Sequence, residues 1–141
     1  MRISGTLITV IVDGHERILE VALRDSEARY WISALEPAHF VEPGGVCPTL
    51  HEGELAELSL VLRFVTKIQP TDPRSLLGLT QPMPRSPHCV VVAQVAHSIE
   101  PDCFACSFGE GTPVIRVECE SDHNLSEGQV VAFTAELARE A

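Results

Sequence analysis

Two cysteines in the sequence CFAC, Cys103 and Cys106, have the spacing found in zinc knuckles and in redox dithiols. A structural zinc site needs four ligands, and the chain supplies neither a second CxxC nor a histidine pair. On an extended strand, residues three apart point to opposite faces, so these two thiols would diverge. A redox dithiol also needs a helix start to lower a thiol pKa, and no helix is predicted here. We therefore interpret Cys106 and Cys119 as small buried apolar residues.

The other residues capable of chemistry form no catalytic pattern. The six histidines show no HExxH or HxH spacing, and the chain lacks a GxSxG elbow, a P-loop and a GxGxxG motif. The glycines of FGEGTP connect two predicted strands, which indicates a hairpin turn and not a phosphate cradle. The sequence therefore predicts no catalytic residues, no metal ligands and no cofactor, and it favours a non-catalytic role over an enzyme.

A run of acidic residues in VIRVECESDH is the best candidate for a binding site. On a strand, Glu118, Glu120 and Asp122 would share one face at intervals of about 7 Å. Like charges in a row cost stability unless water or a partner meets them. A solvated outer face is the simpler explanation of this row. The functional interpretation is a docking strip for a basic surface, and a calcium site is a weaker alternative.

The charge balance narrows the kind of partner. Twenty acidic residues oppose ten basic ones, for a net charge of −10 at pH 7. No cluster of Lys and Arg is present to bind a phosphate backbone, which disfavours nucleic acid. Acidity can also serve only to keep a protein soluble. We expect the partner to be another protein with a basic surface, and self-association into a homo-oligomer remains open.

The composition is that of a globular protein in a reducing compartment. Apolar residues make up 45% of the chain, and the longest apolar run, Leu7 to Val12, is far shorter than the ~20 residues of a membrane span. No signal peptide is visible, and the five cysteines suggest no disulfide ladder. We therefore expect a cytoplasmic protein that does not act at a membrane.

The elements that must carry these residues are β-strands, because apolar residues alternate with a period of two and no helical stripe occurs. A connection at 70–87 holds five of the ten prolines and separates two halves, 1–69 and 88–141. Each half contains four predicted strands. The sequence predicts a single all-β domain spanning 1–141, a small barrel or sandwich of about eight mostly antiparallel strands.

One phrase occurs twice, as LHEGELAELSLVLR from Leu50 and as LSEGQVVAFTAELA from Leu125. In each half a Glu-Gly step leads into the final strand, which suggests two quasi-repeated four-strand halves. Two strands entered through glycine turns can also look alike by chance. If the halves are repeats, Gly53 and Gly128 should lie in turns with positive φ. Valine should then be tolerated less at either glycine than at Gly45, which lies in a looser loop.

The long first strand, the hairpin signal at Asp13-Gly14 and the glycine-entered last strand resemble the oligonucleotide/oligosaccharide-binding barrel in strand order. No family motif accompanies the likeness, so strand order alone suggests a nucleic-acid-binding barrel as an alternative function. A further alternative is an internal metal or small-molecule site that uses Cys103, Cys106 and nearby histidines. The favoured function is a non-catalytic binding module that docks a macromolecule through its acidic surface, for example an inhibitor or immunity-type protein.

Overall fold

The computed structural model describes residues 1–140, and every regular element in them is a β-strand. The strands are β1 (Arg2–Asp13), β2 (Glu16–Leu23), β3 (Arg29–Leu35), β4 (Leu55–Pro70), β5 (Gly78–Thr80), β6 (His88–Glu100), β7 (Cys103–Ser107), β8 (Ile115–Glu118) and β9 (Val130–Arg139). All eight predicted strands are present. The ninth, β5, is a three-residue strand inside the proline-rich connection.

All nine strands belong to one mixed sheet, and their pairings close into two rings of five strands. In the first ring, β1, β2 and β3 form an antiparallel meander, and β9 and β4 close the ring back to β1. In the second ring, β6, β7 and β8 form the meander, and β4 and β9 again close it. The prediction of an all-β, barrel- or sandwich-like fold is confirmed.

The two halves of the chain have corresponding pairings. The third strand of each half runs parallel to the last strand of the other half, so that β3 pairs with β9 and β8 pairs with β4. Within each half, the first strand pairs antiparallel with the last. The strands β4 and β9 are therefore members of both rings, and each ring includes a strand from the opposite half.

The two Glu-Gly steps lie in equivalent turns. Gly53 and Gly128 have positive φ angles of 88° and 86°, as predicted. The amide of Gly53 donates to the carbonyl of Leu7 at 2.7 Å, and the amide of Gly128 donates to the carbonyl of Val95 at 2.8 Å. In return, the amides of Leu7 and Val95 donate to the residue after each glycine, at 2.9 and 2.8 Å. The repeated phrase thus marks a repeated pattern of hydrogen bonds.

The first strands of the two halves also share a β-bulge. The pairing register shifts at Ile8 in β1 and at Ala96 in β6, in each case directly after the residue that contacts the glycine turn. A bulge bends its strand and increases the local twist. Equal bulge positions therefore curve the two long first strands in the same way around their rings.

The core consists of the inward side chains of both rings. Buried residues alternate along the strands, as the period-two pattern predicts. The period-two pattern places Leu58, Leu60, Leu62 and Phe64 on one face of β4; the three leucines are at most 4% exposed, but Phe64 is 62% exposed. In β9 the corresponding residues Phe133, Ala135 and Leu137 are at most 3% exposed. They lie in one continuous apolar cluster, and its burial is the main favourable contribution to folding.

The connection at 70–87 fastens the outer edge of β3. The amide of Trp31 donates to Gln81 Oε1, and Gln81 Nε2 donates to the carbonyl of Trp31, both at 2.7 Å. These are the two hydrogen bonds that a neighbouring strand would have made. Since β3 pairs with β9 only at Ser33, the side chain of Gln81 satisfies backbone groups that have no strand partner.

Candidate functional site: an acidic surface on the second ring

The predicted row of carboxylates is only partly formed. Ile115 and Val117 are buried as expected, and Glu118 is the last residue of β8. Glu120 and Asp122 lie in the loop that follows the strand and are exposed. Strand pairing ends here because β7, the partner of β8, begins at Cys103 opposite Glu118, and the last ladder contact is the amide of Cys119 donating to the carbonyl of Asp102 in the β6–β7 turn at 2.8 Å.

Glu118 differs from the other two because arginines neutralise its charge. Its Oε2 accepts a hydrogen bond from Arg63 Nε at 3.2 Å, and its Oε1 accepts one from Arg116 Nη2 at 2.8 Å. Arg116 also lies 2.6 Å from a carboxylate oxygen of Glu140. These groups are partly exposed, so each pair contributes at most about 1 kcal/mol to stability. Glu118 therefore belongs first to a surface ion-pair network that joins β4, β8 and the chain after β9.

The structure adds two carboxylates that do not belong to the predicted row. The loop after β8 packs on the β6–β7 turn, where the amide of His123 donates to the carbonyl of Pro101 at 2.9 Å. Glu100 and Asp102 thereby line an open groove of about 410 Å³ together with Glu118. We call the acidic surface the set Glu100, Asp102, Glu118, Glu120 and Asp122. Its two parts are separated along the chain, so a search for acidic runs could not have joined them.

His123 holds the acidic loop in place. Its Nδ1 accepts a hydrogen bond from the amide of Leu125 at 2.9 Å, so the proton of the neutral ring lies on Nε2. Nε2 donates this proton to the carbonyl of Glu100, 3.0 Å away. The ring also packs edge-on against Phe104, with the two centroids 5.3 Å apart. One imidazole thus fixes the loop to β6 and to the core.

An exposed aromatic residue lies in the strand beside this surface. Phe64 directly follows Arg63 in β4, has a φ of 53° and is 62% exposed. Lys67 also has a positive φ, of 58°, and the pairing of β4 with β9 shifts register on both sides of Thr66. A bulky residue with positive φ costs about 1–3 kcal/mol, and such strain is concentrated at functional sites. The strain turns an apolar ring outward next to the ion pair of Arg63.

The thiols at this end are poorly suited to chemistry. Cys103 and Cys119 both line the groove, where burial raises the pKa of the Cys103 thiol and raises that of Cys119 to about 11. Burial also raises the pKa of Cys106 to about 12, and that side chain is fully buried, as expected of a small apolar residue. Within residues 1–140, no three His, Cys, Asp or Glu side chains are grouped so that they could hold a metal ion. The acidic surface can attract a cationic partner, but it holds no nucleophile.

Comparison of the chain with protein-family models, with curated proteins and with solved structures finds no match. Among residues 1–140, no helix is long and apolar enough to cross a membrane. The function must therefore be argued from the chain's own residues.

Proposed function

We propose that this protein is a non-catalytic binding module of the cytoplasm that docks a basic protein through the acidic surface. The observation that carries the proposal is that Glu100, Asp102 and Glu118, from two chain segments, line one groove at an end of the second ring, with Glu120 and Asp122 exposed in the loop that follows β8. Within the described part of the chain, only Glu118 among them lies within 4 Å of an Arg or Lys side chain. The other four carboxylates are exposed and make no ion pair within 4 Å among residues 1–140, although Arg116 lines the groove with Glu100 and Asp102, and Lys67 lines an adjoining pocket with Glu120 and Asp122.

The expected partner presents Lys and Arg side chains around an apolar pocket. Opposite charges on two surfaces raise the association rate and select the partner. Interfaces also need a central apolar anchor, and aromatic residues most often supply it. Phe64 is suited to that role because it is already exposed and held outward by its backbone. An inhibitor or immunity-type protein that imitates the charge of a nucleic acid is one form this function can take.

A charge-matched pair of variants tests the proposal. The first variant neutralises the surface with Glu100→Gln, Asp102→Asn, Glu120→Gln and Asp122→Asn. The control neutralises four exposed carboxylates elsewhere, with Asp25→Asn, Glu27→Gln, Glu42→Gln and Glu110→Gln. Both variants have the same net charge, so general attraction to cations changes equally in the two.

The binding probe is a fluorescent basic peptide rich in Lys and Arg, titrated at low and at physiological salt. We expect the first variant to lose at least about tenfold in affinity, the control to lose much less, and wild-type binding to weaken with salt. An equal loss in both variants would show that only net charge matters and would contradict a defined docking surface. A single-stranded DNA or RNA oligonucleotide that binds tightly at low salt would instead favour the nucleic-acid alternative.

A further inference from the structure

A buried arginine and a cysteine form a second cluster, at the end of the first ring. Arg17 on β2 is completely buried, on the same strand face as the core residues Leu19 and Val21. Its Nε donates a hydrogen bond to the sulfur of Cys47 at 3.2 Å. Its other nitrogens donate to three backbone carbonyls at 2.7–3.1 Å, those of Gly14, Glu16 and His39. Four of the five N–H donors of the guanidinium thus have an acceptor.

In the part of the chain that the structure describes, the charge of Arg17 makes no ion pair within 4 Å, and the carboxylate that it influences at longer range, Glu36, is already paired with Arg139. Within residues 1–140, no Asp or Glu oxygen lies within 4 Å of its nitrogens, and the carbonyls that accept its hydrogen bonds are neutral. Buried charges in proteins are normally paired, because taking an unpaired charge out of water is very unfavourable. The sulfur of Cys47 is the one acceptor of Arg17 that can take a negative charge by losing a proton. The geometry therefore favours an arginine–thiolate pair.

The surroundings of Cys47 favour the same ionised form. Burial alone raises the pKa of this thiol, but hydrogen bonds from Thr49, Arg17 and the Leu50 backbone outweigh burial and lower the pKa below its ordinary value. Thr49 Oγ1 donates its proton to Glu36 Oε1 at 2.9 Å and lies 3.6 Å from the sulfur, so the hydroxyl is not a dedicated donor to Cys47. Arg17 Nε makes no such second contact and is the dedicated donor to the sulfur.

A small cavity gives access to this sulfur. Cys47 is only 3% exposed, but it lines a cavity of about 290 Å³ beside Val10, Val46 and Leu50. Two polar residues, His51 and Glu52, complete the lining. The cavity is at the lower end of the size of ligand pockets, so it admits small reagents and not large ones.

We propose that Cys47, paired with Arg17, is a reactive thiolate that small hydroperoxides oxidise to a sulfenic acid. The sulfur attacks one peroxide oxygen, so that an S–O bond forms as the O–O bond breaks. The sulfur loses two electrons and the peroxide gains them; the departing oxygen leaves as hydroxide from hydrogen peroxide, or as alkoxide from an alkyl hydroperoxide, and takes a proton from solvent to become water or an alcohol. Added thiol reductant reverses the reaction through a mixed disulfide. The site lies on the first ring and is independent of the proposed docking surface.

Several titratable groups lie near Arg17 and Cys47 and would affect the pH dependence of Cys47 reactivity. They are Glu36 and His39 after β3, and His51 and Glu52 at the cavity. The pKa of Glu36 is below its ordinary value, because Thr49 and Arg139 outweigh the effect of burial. This carboxylate is therefore already charged at neutral pH and stays constant while the thiol titrates.

The rate of alkylation tests the thiolate within the wild-type protein. The reduced full chain is treated with iodoacetamide between pH 6 and pH 9, and each cysteine peptide is quantified by mass spectrometry. Cys119 is the internal control because it is more exposed than Cys47 while its thiol ionises only at high pH. We expect Cys47 to react at least about tenfold faster than Cys119 at pH 7, with a rate that levels off at a lower pH than that of a free cysteine. Faster labelling of Cys119, or a Cys47 rate that still climbs tenfold per pH unit at pH 9, would overturn the proposal.

Hydrogen peroxide with a cyclic diketone as sulfenic-acid trap tests the second step. The adduct should form on Cys47 before any other cysteine and should be absent from Cys47→Ser. Arg17→Met, checked by circular dichroism, should slow both reactions of Cys47 at least about tenfold while leaving Cys119 unchanged. If that variant does not fold, the comparison of Cys47 with Cys119 in the wild-type protein still tests the proposal. Fast alkylation of Cys47 without any peroxide adduct would rule out hydroperoxides as its reagent.

Discussion

Leu62 and Leu137 lie directly opposite each other where β4 pairs with β9. They are also the residues that the two copies of the repeated phrase place at equivalent positions. The flanking pairs are Val61 with Ala138 and Arg63 with Glu136. If β4 and β9 are exchanged so that Leu62 and Leu137 take each other's place, the pair Val61–Ala138 takes the place of the pair Arg63–Glu136. The Leu62–Leu137 pair therefore lies at the centre of the correspondence between the two halves.

The two proposed sites lie at equivalent ends of the two rings. In the first half, the amide of Glu36, after β3, donates to the carbonyl of His15 in the β1–β2 turn at 2.9 Å. In the second half, the amide of Cys119, after β8, donates to the carbonyl of Asp102 in the β6–β7 turn at 2.8 Å. The same backbone contact therefore supports a thiol and a buried arginine in one half, and a cluster of carboxylates in the other.

The two glycine turns should have similar sensitivity to substitution. Gly53→Val and Gly128→Val force a β-branched residue to positive φ, and we expect each to lower the free energy of unfolding by about 1–3 kcal/mol. Gly45 is not the loose position that its loop suggests, because a Cβ there would lie 2.6 Å from Val41 Cγ1. Gly78→Val is the better control, since β5 is extended and nothing lies within 4 Å of the added atom. Urea unfolding that gives Gly78→Val the same cost as the other two would contradict the strain argument.

Loss of the Gln81 side-chain amide should weaken the attachment of the connection. Gln81→Leu leaves the amide and carbonyl of Trp31 without their partners, and we expect a loss of about 1–3 kcal/mol in the free energy of unfolding. Gln94→Leu is the control, because Gln94 makes a single, exposed hydrogen bond to the carbonyl of Gly128. Hydrogen exchange should show faster exchange of the Trp31 amide in Gln81→Leu alone. Unchanged protection of that amide would show that the bidentate contact is not formed in solution.

Neither half of the chain should fold alone. Fragment 1–69 lacks β9, and fragment 88–141 lacks β4, so each is missing a strand that closes its own ring. We expect both fragments to give the circular dichroism of unfolded chains and an equimolar mixture to recover β-structure. A dispersed NMR spectrum from either fragment alone would show two independent domains and contradict the prediction of one.

Glu36 should contribute to stability at neutral pH and not in acid. Although burial acts in the other direction, its pKa is lowered by Thr49 and Arg139, so the folded state favours the charged form. This contribution is complete above the unfolded pKa of about 4.3 and is lost as the pH falls through the lower folded value. We expect Glu36→Gln to cost about 1 kcal/mol at pH 7 and progressively less below pH 4. Unfolding curves at several pH values check this, and a cost that is the same at pH 3 and pH 7 would contradict it.

Local patterns predicted the strands but not the way they associate. The four strands of each half could be predicted because the alternation of apolar residues is visible in a short window, as in β3. The parallel pairing of β3 with β9 and of β8 with β4 joins residues far apart in the chain, and no local sequence pattern indicates such pairings. The bulges of β4 at Phe64 and Lys67 could not be predicted from the sequence either, because both residues continue an ordinary strand pattern.

For the candidate sites too, the sequence predicted features within one strand but not contacts between distant segments. Glu118 lies on the strand, as predicted, but Glu120 and Asp122 lie beyond it because the partner strand β7 begins at Cys103, opposite Glu118. The partners of this surface, Glu100 and Asp102, come from another hairpin. The signal for the second site was present in the sequence, since the alternation of β2 placed Arg17 on an apolar face. Its partner Cys47 lies in an irregular loop, where no periodicity indicates which way a side chain points.

The contact between Gln81 and Trp31 also bears on aggregation. Before Ser33, the outer side of β3 has no strand partner, and an uncovered strand edge is where one protein molecule adds to the sheet of another. A glutamine side chain uses up the backbone groups at Trp31 without extending the sheet, and the prolines on both sides of it, Pro70 to Pro87, cannot continue a ladder. The proline-rich connection therefore covers part of the edge of β3 at which another molecule could add a strand.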